Sequence, residues 1–365
     1  MTRREVRVGP VTLGGGNPVL VQSMTNTPTA DVDATVAQID ALAAAGCEMV
    51  RVAVSSTAEV RAFGDLRQRV ALPLIADIQF NWRFAVDCLG LGADKVRVNP
   101  GNIGTREEFL AVVDEAGRRG KALRIGINSG SLEADLLAEH GGPTPAAMNA
   151  SARRAVATAE ATGFRDLVVS LKSSGVMETV EAYRLFAVGS DVPLHLGVTE
   201  AGDAMTGAIK SAVAFGLLLD DGIGDTLRVS LTAPPETEVR AAWDILGALG
   251  LRRRGVNIVS CPTCSRCRMD IIGIAAQVKE RLRAVDEPLT VAVMGCSVNG
   301  PGEAREADIG LAGGVGKGVL FRKGVVLRDV PERQCVETLV AEVLALVKGG
   351  SVEGEGEDDE QQPRR

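Results

Sequence analysis

Between residue 18 and about residue 250, short runs rich in β-branched residues alternate eight times with longer Ala- and Leu-rich segments of helical period. The runs are PVLVQSM at 18–24, MVRVAV at 49–54, PLIADI at 73–78, KVRVNP at 95–100, ALRIGIN at 122–128, DLVVSLK at 166–172, PLHLGVTE at 193–200 and TLRVSLT at 226–232. Strand and helix repeated eight times is the pattern of a closed (β/α)8 TIM-type barrel, with an open doubly wound sheet as the weaker alternative. The helical segments carry their own punctuation: DVDATVAQIDALAAAG offers Asp31 or Asp33 as an N-cap and Gly46 as a stop.

Polar residues gather at the C-terminal ends of these runs: Gln22, Ser23, Asp77, Asn99, Asn128, Ser170, Lys172, Thr199, Glu200, Arg228 and Ser230. In a barrel those ends meet at one face, which is therefore the expected active site. A single polar strand end is what approach to solvent alone produces. A whole ring is harder to explain that way, because Arg97 and Arg124 inside β-branched runs must point into the mouth or be paired.

The alternation breaks at LRRRGVN, 251–257. The expected organisation is a barrel over 1–250, a smaller α+β domain over 255–348 and an acidic, disordered tail over 349–365. The second domain reads as an NIVSC strand, a helix near 269–283, an LTVAVMGC strand, a Gly-rich hairpin and a last helix from about Glu332 to Lys348. GGVGKG lacks the Ser or Thr that follows Lys in a phosphate loop, position 318 being Gly, and is read as a turn. From Ser351 onward six acids face two arginines, so about −4 of the net charge of −7 lies in the tail. A nearly neutral body with one Tyr and two Trp offers neither the charge nor the stacking surface of a nucleic-acid binder. No run approaches the roughly 20 apolar residues of a membrane span, and MTRREVRVGPVTLGGG has no apolar leader, so the expected compartment is the cytoplasm.

Seven cysteines are an odd number for a disulfide framework. Cys261, Cys264 and Cys267 form CPTCSRC, and Cys296 closes a strand about thirty residues on. Soft thiolates at CxxC spacing hold zinc or an iron–sulfur cluster, and spacing alone does not separate the two. Cys47, Cys88 and Cys335 sit in apolar patterns and read as inert, buried thiols. His140 is expected at a loop or helix end, and His195 as a hydrogen-bonded barrel residue; neither reads as a metal ligand.

SCPTCSR at 260–266 and MGCSVNGPGEAREADIG at 294–310 resemble the cluster-binding segments of the 4-hydroxy-3-methylbut-2-enyl diphosphate synthase family. VQSMTNTPTADVDATVAQI at 21–39, VRVNPGNIG at 96–104, RIGINSGSL at 124–132, SLKSS at 170–174, PLHLGVTEAG at 193–202 and GIGDTLRVSLT at 222–232 follow in the family's order. The resemblance runs from about residue 5 to 345 and is to the short bacterial form.

It implies a 4Fe–4S cluster held by Cys261, Cys264, Cys296 and Glu303, in an oxidoreductase of the methylerythritol phosphate route to isoprenoids. The implied reaction is the reductive ring opening and dehydration of 2-C-methyl-D-erythritol 2,4-cyclodiphosphate to (E)-4-hydroxy-3-methylbut-2-enyl diphosphate. The resemblance places the diphosphate on Arg51, Arg124, Lys172 and Arg228 with the hydroxyls of Thr199 and Ser230, and substrate-orienting or proton-handling roles on Asp77, Arg97, Asn99, Asn128 and Glu200. Flavodoxin or ferredoxin is the implied electron donor, and a homodimer with composite sites the implied assembly. Arg252, Arg253, Arg254, Arg266 and Arg268 bracket the cysteine loop and read either as a docking patch for an acidic donor or as a solvated charge run.

Two departures stand out. Gln79 replaces a family histidine, and Ser265 replaces a glycine with Cys267 just beyond. The competing chemistry is a redox-silent barrel lyase with Cys261, Cys264, Cys267 and Cys296 as a closed zinc site.

Overall fold

The computed structural model describes residues 2–296 and 304–349, and the chain divides after Arg252 into two units. The expected acidic tail lies, but for Gly349, outside the described residues, and so does Glu303. No helix among the described residues is long and apolar enough to cross a membrane.

The first unit opens with an antiparallel hairpin, β1 (Val6–Val8) and β2 (Val11–Leu13), turned at Gly9 in the left-handed region. Apart from its charge, the N-terminal sequence gives no signal of this hairpin. The eight barrel strands follow: β3 (Leu20–Met24), β4 (Met49–Val54), β5 (Leu74–Ile78), β6 (Lys95–Val98), β7 (Ala122–Asn128), β8 (Leu167–Lys172), β9 (His195–Leu196) and β10 (Thr226–Leu227). They pair in parallel in the order β8-β7-β6-β5-β4-β3-β10-β9, and a bridge between Val169 and Leu194 joins the two edges, so the barrel expectation holds.

The helices between them are α1 (Val32–Ala44), α2 (Thr57–Arg69), α3 (Trp82–Gly90), α4 (Arg106–Arg119), α5 (Ala134–His140), α6 (Pro145–Glu160), α7 (Val176–Ala187), α8 (Ala204–Asp220) and α9 (Pro235–Ala248). Of the two caps offered for α1, Asp31 is used, accepting from the Ala34 amide. Thr105 and Glu108 close a reciprocal capping box on α4.

Period-two alternation sorts each strand. Leu123, Ile125 and Ile127 of β7 pack outward in the core shared with the helices, whereas Ala122 joins Leu20, Met49, Ile75 and Val168 at the barrel floor. Val6, Val8 and Leu13 of the hairpin cover that floor, each burial contributing about 1.5–3 kcal/mol. The last two strands are shorter than the runs predicted. Beyond Leu196 the backbone leaves the ladder: the Thr199 amide donates to the Ser173 carbonyl and the Thr232 amide to that of Gly202.

The second unit is a five-stranded mixed sheet in the order β11-β12-β13-β14-β15, from β11 (Asn257–Ser260), β12 (Thr290–Met294), β13 (Ile309–Gly313), β14 (Lys317–Arg322) and β15 (Val325–Pro331). β11, β12 and β13 are parallel, and the rest antiparallel. Two helices, α10 (Ile271–Arg281) and α11 (Cys335–Val347), bury Ile274, Val278, Leu339 and Val343 against it. GGVGKG forms the β13–β14 turn, the Gly314 amide donating to the Lys317 carbonyl.

Candidate active site

The strand ends of the first unit enclose a cavity of about 210 Å³. Arg51, Asp77, Arg97, Arg124, Asn128, Lys172, Thr199, Arg228 and Ser230 line it as the sequence predicted, together with Gln79 and Val198. Asn99 and Glu200 do not. Asn99 is buried and committed to the loop wall: its Nδ2 donates to Ser131 Oγ at 2.6 Å, and its Oδ1 accepts from the Gly101 amide at 3.0 Å. Glu200 is exposed beside Thr199 and holds a left-handed backbone at φ 52°, a conformation that costs a non-glycine residue on the order of 1–3 kcal/mol and that often marks functional loops.

Five cations share this cavity, and the acids around them are few. Asp77 accepts from Arg97 Nη1 at 3.2 Å and lies 3.6 Å from Arg51 Nε, while Gln79 Nε2 reaches its other oxygen at 3.4 Å. Arg228 makes a two-pronged contact with Glu238 of α9 at 3.1 and 3.2 Å, and Arg51 also donates to Met24 Sδ. Turned so that its oxygen faces Arg97, the Asn128 amide accepts from Nη2 at 3.1 Å. Arg124 and Lys172 have no carboxylate of their own among the described residues.

Burial, opposed by Arg51, Arg97 and Arg124, leaves the Asp77 carboxyl below its usual range. Burial pushes Arg51 down to about 10 despite Asp77, because Arg228 and Arg97 add to the cost of its charge. Burial, then Arg124 and the other arginines, holds Lys172 well below the ordinary lysine range. Two buried carboxylates, Asp77 and Glu238, do not balance the five cations, and an entering anion would relieve the excess.

Glu238 and Met24 were not legible in advance, since one sits on a helix and the other reads as core. Ser23, grouped with the mouth residues, turns away to Glu238 Oε2 at 3.4 Å. His195 is buried with Nδ1 2.7 Å from Thr226 Oγ1, as a structural barrel residue, and His140 ends α5.

Two glycines make room for the cations. A Cβ on Gly197 would stand 2.3 Å from Lys172 Nζ and 2.6 Å from its Cε, and one on Gly126 would stand 2.3 Å from Arg97 Nε. Gly197→Ala is therefore expected to weaken pyrophosphate binding about 5- to 30-fold, about 1–2 kcal/mol, with little change in melting temperature, because only a flexible lysine end has to move. Titration calorimetry checks this, and in a Lys172→Met background the glycine change should have no further effect.

In the second unit, parallel pairing of Ser260 with Val293 brings the ends of β11 and β12 together, so Cys261 and Cys296 leave the sheet at the same edge. The Gly295 amide donates to Cys261 Sγ at 3.1 Å, and Cys267 Sγ donates to the Met269 carbonyl. A Cβ on Gly295 would lie 2.9 Å from Cys267 Sγ and 3.3 Å from Cys261 Sγ, so this glycine lets the cysteine loop fold onto β12. None of the seven cysteines is in a disulfide. No preformed group of three metal-ligating side chains stands among the described residues. The donor chemistry nevertheless fits a thiophilic cluster: reduced thiols on two adjacent strand ends, with Cys264 exposed and its thiol drawn below the ordinary range by hydrogen bonds from Arg266. Cys47 and Cys88 are buried, each pushed up to about 12 by burial, and Cys335 is raised as well, which suits inert thiols.

The arginine patch needs correction. Arg252 belongs to the barrel unit, where it donates to Glu48 at 2.7 and 2.8 Å and lies 4.6 Å over the Trp243 ring. Arg254 pairs with Asp286 at 2.7 Å. Arg253, Arg266 and Arg268 are exposed.

A parallel barrel converging on a cationic cavity, followed by a separate unit that presents reduced cysteines at adjacent strand ends, defines a two-part barrel enzyme for an anionic substrate. Residues 3–243 match the GcpE TIM-barrel domain and residues 257–345 the GcpE protein C-terminal domain, and the chain belongs to the GcpE family. A Geobacter sulfurreducens relative is 54% identical over 344 residues, covering 94% of this chain and 98% of its own. One from Nitratidesulfovibrio vulgaris is 55% identical over 327 residues, covering 90% and 85%, and one from Bacillus subtilis 48% over 345 residues, covering 94% and 92%. All three are named 4-hydroxy-3-methylbut-2-en-1-yl diphosphate synthase (flavodoxin).

Proposed function

We propose that the chain catalyses the reductive ring opening and dehydration of 2-C-methyl-D-erythritol 2,4-cyclodiphosphate to (E)-4-hydroxy-3-methylbut-2-enyl diphosphate. The observation that carries this reading is the cation-rich cavity, with Arg124 and Lys172 lacking carboxylates among the described residues, in a member of this family. In the reaction two electrons and two protons enter, the ring carbon–oxygen bond breaks, and one oxygen leaves as water.

On this reading Arg124, Lys172, Arg51 and Arg228 bind the cyclic diphosphate, with Thr199 and Ser230 donating hydroxyl hydrogen bonds. Asp77 is a positioning residue: it holds Arg51 and Arg97 in place, and Gln79, which cannot titrate, braces it. Asn128 and Arg97 orient the sugar carbons. Glu200, exposed at the rim, is the candidate proton carrier, and Asn99 shapes the rim through its loop contacts. A 4Fe–4S cluster, when bound, supplies single electrons and an exchangeable iron site for a substrate oxygen. Cys261, Cys264 and Cys296 would hold it, with Glu303 as the replaceable fourth ligand; Cys267 is the alternative fourth ligand. Flavodoxin is the donor that the relatives' names support, with ferredoxin as the alternative, and the exposed Arg253, Arg266 and Arg268 suit an acidic partner. On the same reading it works in the cytoplasm as a homodimer with composite sites.

The test is spectroscopic as well as kinetic. Anaerobically purified protein should be brown, with about four iron atoms per chain, and Glu303→Ala should retain part of that absorption while losing most turnover. A colourless, zinc-loaded protein would favour the barrel lyase with a closed zinc site. Glu303→Ala with wild-type turnover and an unchanged spectral response to substrate would transfer the fourth-ligand role to Cys267.

A further inference from the structure

The alternation that sends Val96 and Val98 of β6 out to the helices turns Lys95 and Arg97 toward the barrel axis. Lys95 lies two residues deeper than Arg97, roughly 7 Å by strand rise. It is fully buried, and its Nζ has no hydrogen-bond partner among the described residues. Below it is the apolar floor of Val6, Val8, Leu13 and the strand starts.

The titratable and charged groups on the strands around it are Arg51 on β4, Asp77 on β5, Arg97 on its own strand, Arg124 on β7, Lys172 on β8 and His195 on β9. The neighbouring inward residues of β3 and β10, Gln22 and Thr226, carry no charge, and the hairpin presents only apolar side chains. Asp77 is committed to Arg51 and Arg97, and Glu238 to Arg228. Lys95 is thus a buried amine on the apolar floor that feels Arg124 and Arg51, with no acid to spare for it among the described residues.

We propose that Lys95 is a positioning residue for the diphosphate that acts by taking up a proton when the anion enters the mouth, placing a further positive charge beneath Arg124. This rests on reading the cavity as a diphosphate site. Burial, then Arg124 and Arg51, holds the Lys95 amine well below its ordinary range, so it is the kind of group that a nearby anion can charge. A unit negative charge about 10 Å away raises its proton affinity about tenfold at an effective dielectric of about 20, and a diphosphate brings two or three such charges. Lys95 touches no reacting atom; its contribution is a field that strengthens as the ligand arrives.

The experiment is calorimetric titration of the full chain with inorganic pyrophosphate near pH 7, in two buffers of different ionisation heat, which counts the protons taken up per ligand. Compared with wild type, Lys95→Met should take up about one proton fewer, bind pyrophosphate roughly tenfold more weakly, and melt at the same or a higher temperature. Lys95→Gln supplies the same comparison should the methionine variant misfold. An unchanged proton count in a folded variant that still binds pyrophosphate overturns the role of Lys95. Failure of the wild-type chain to bind pyrophosphate at all overturns the diphosphate reading of the mouth, and this inference with it.

Discussion

Arg124→Met is expected to weaken pyrophosphate binding by about 100- to 1000-fold, about 2.7–4.1 kcal/mol, while leaving the protein as stable as before or more so. Arg124 is 1% exposed, among the largest fully buried side chains, and its Nε and Nη1 lack hydrogen-bond partners among the described residues. Burying a guanidinium without a carboxylate opposes folding, so replacing it with an unbranched apolar chain of similar reach should be neutral or stabilising by about 1–4 kcal/mol. The same unspent hydrogen-bonding capacity is what a diphosphate oxygen would use, in a desolvated site where charge-assisted bonds are strongest. Calorimetry and thermal melting together decide the matter. A variant that melts much lower yet binds pyrophosphate normally would make Arg124 a structural residue and remove the principal anion anchor.

Asp77→Asn is expected to have the opposite effect on stability, a loss of about 3–5 kcal/mol near pH 7, although the side chain keeps its shape. Asp77 is the carboxylate that Arg51 and Arg97 share, and it is 3% exposed. Removing its charge leaves two buried guanidiniums uncompensated. The folded-state value of Asp77 lies below the ordinary 3.8, so its contribution is present at every pH above the unfolded-state value and is lost as the pH falls through the folded-state one. The stability gap between wild type and Asp77→Asn should therefore be constant from about pH 5 to 8 and narrow only below about pH 4. Denaturant unfolding across that range is the measurement, and a gap that closes near neutrality would assign the effect to another group.

These two neighbours show where sequence reasoning stops. Both stand at the predicted mouth, and the β-branched runs that carry them made the barrel and its polar rim legible, because period-two alternation and strand–helix repetition are local properties of the chain. Their opposite energetic signs were not legible. Those depend on which acid reaches which arginine across the barrel, and strand register sets that: Asp77 stands beside Arg97 in the β5–β6 ladder, while Arg124 is set against Val168 of β8. Asn99 and Glu200 sit in matching motifs, yet the loops after their strands turn them into the rim wall and toward solvent.

By itself the sequence determined the eightfold alternation, the sheet-and-helix unit that follows it, the cysteine loop and the family, because each is written in spacing or in long motifs. Only the tertiary structure decided that a short N-terminal hairpin floors the barrel, that Glu238 on a helix holds Arg228, that Arg252 belongs to the barrel through Glu48 and the Trp243 ring, and that Gly126 and Gly197 clear space for Arg97 and Lys172. The physical reason is common to all of them. Burial and ion pairing in a closed barrel are settled between residues tens to hundreds of positions apart, and the chain's local pattern carries no record of which of them will meet.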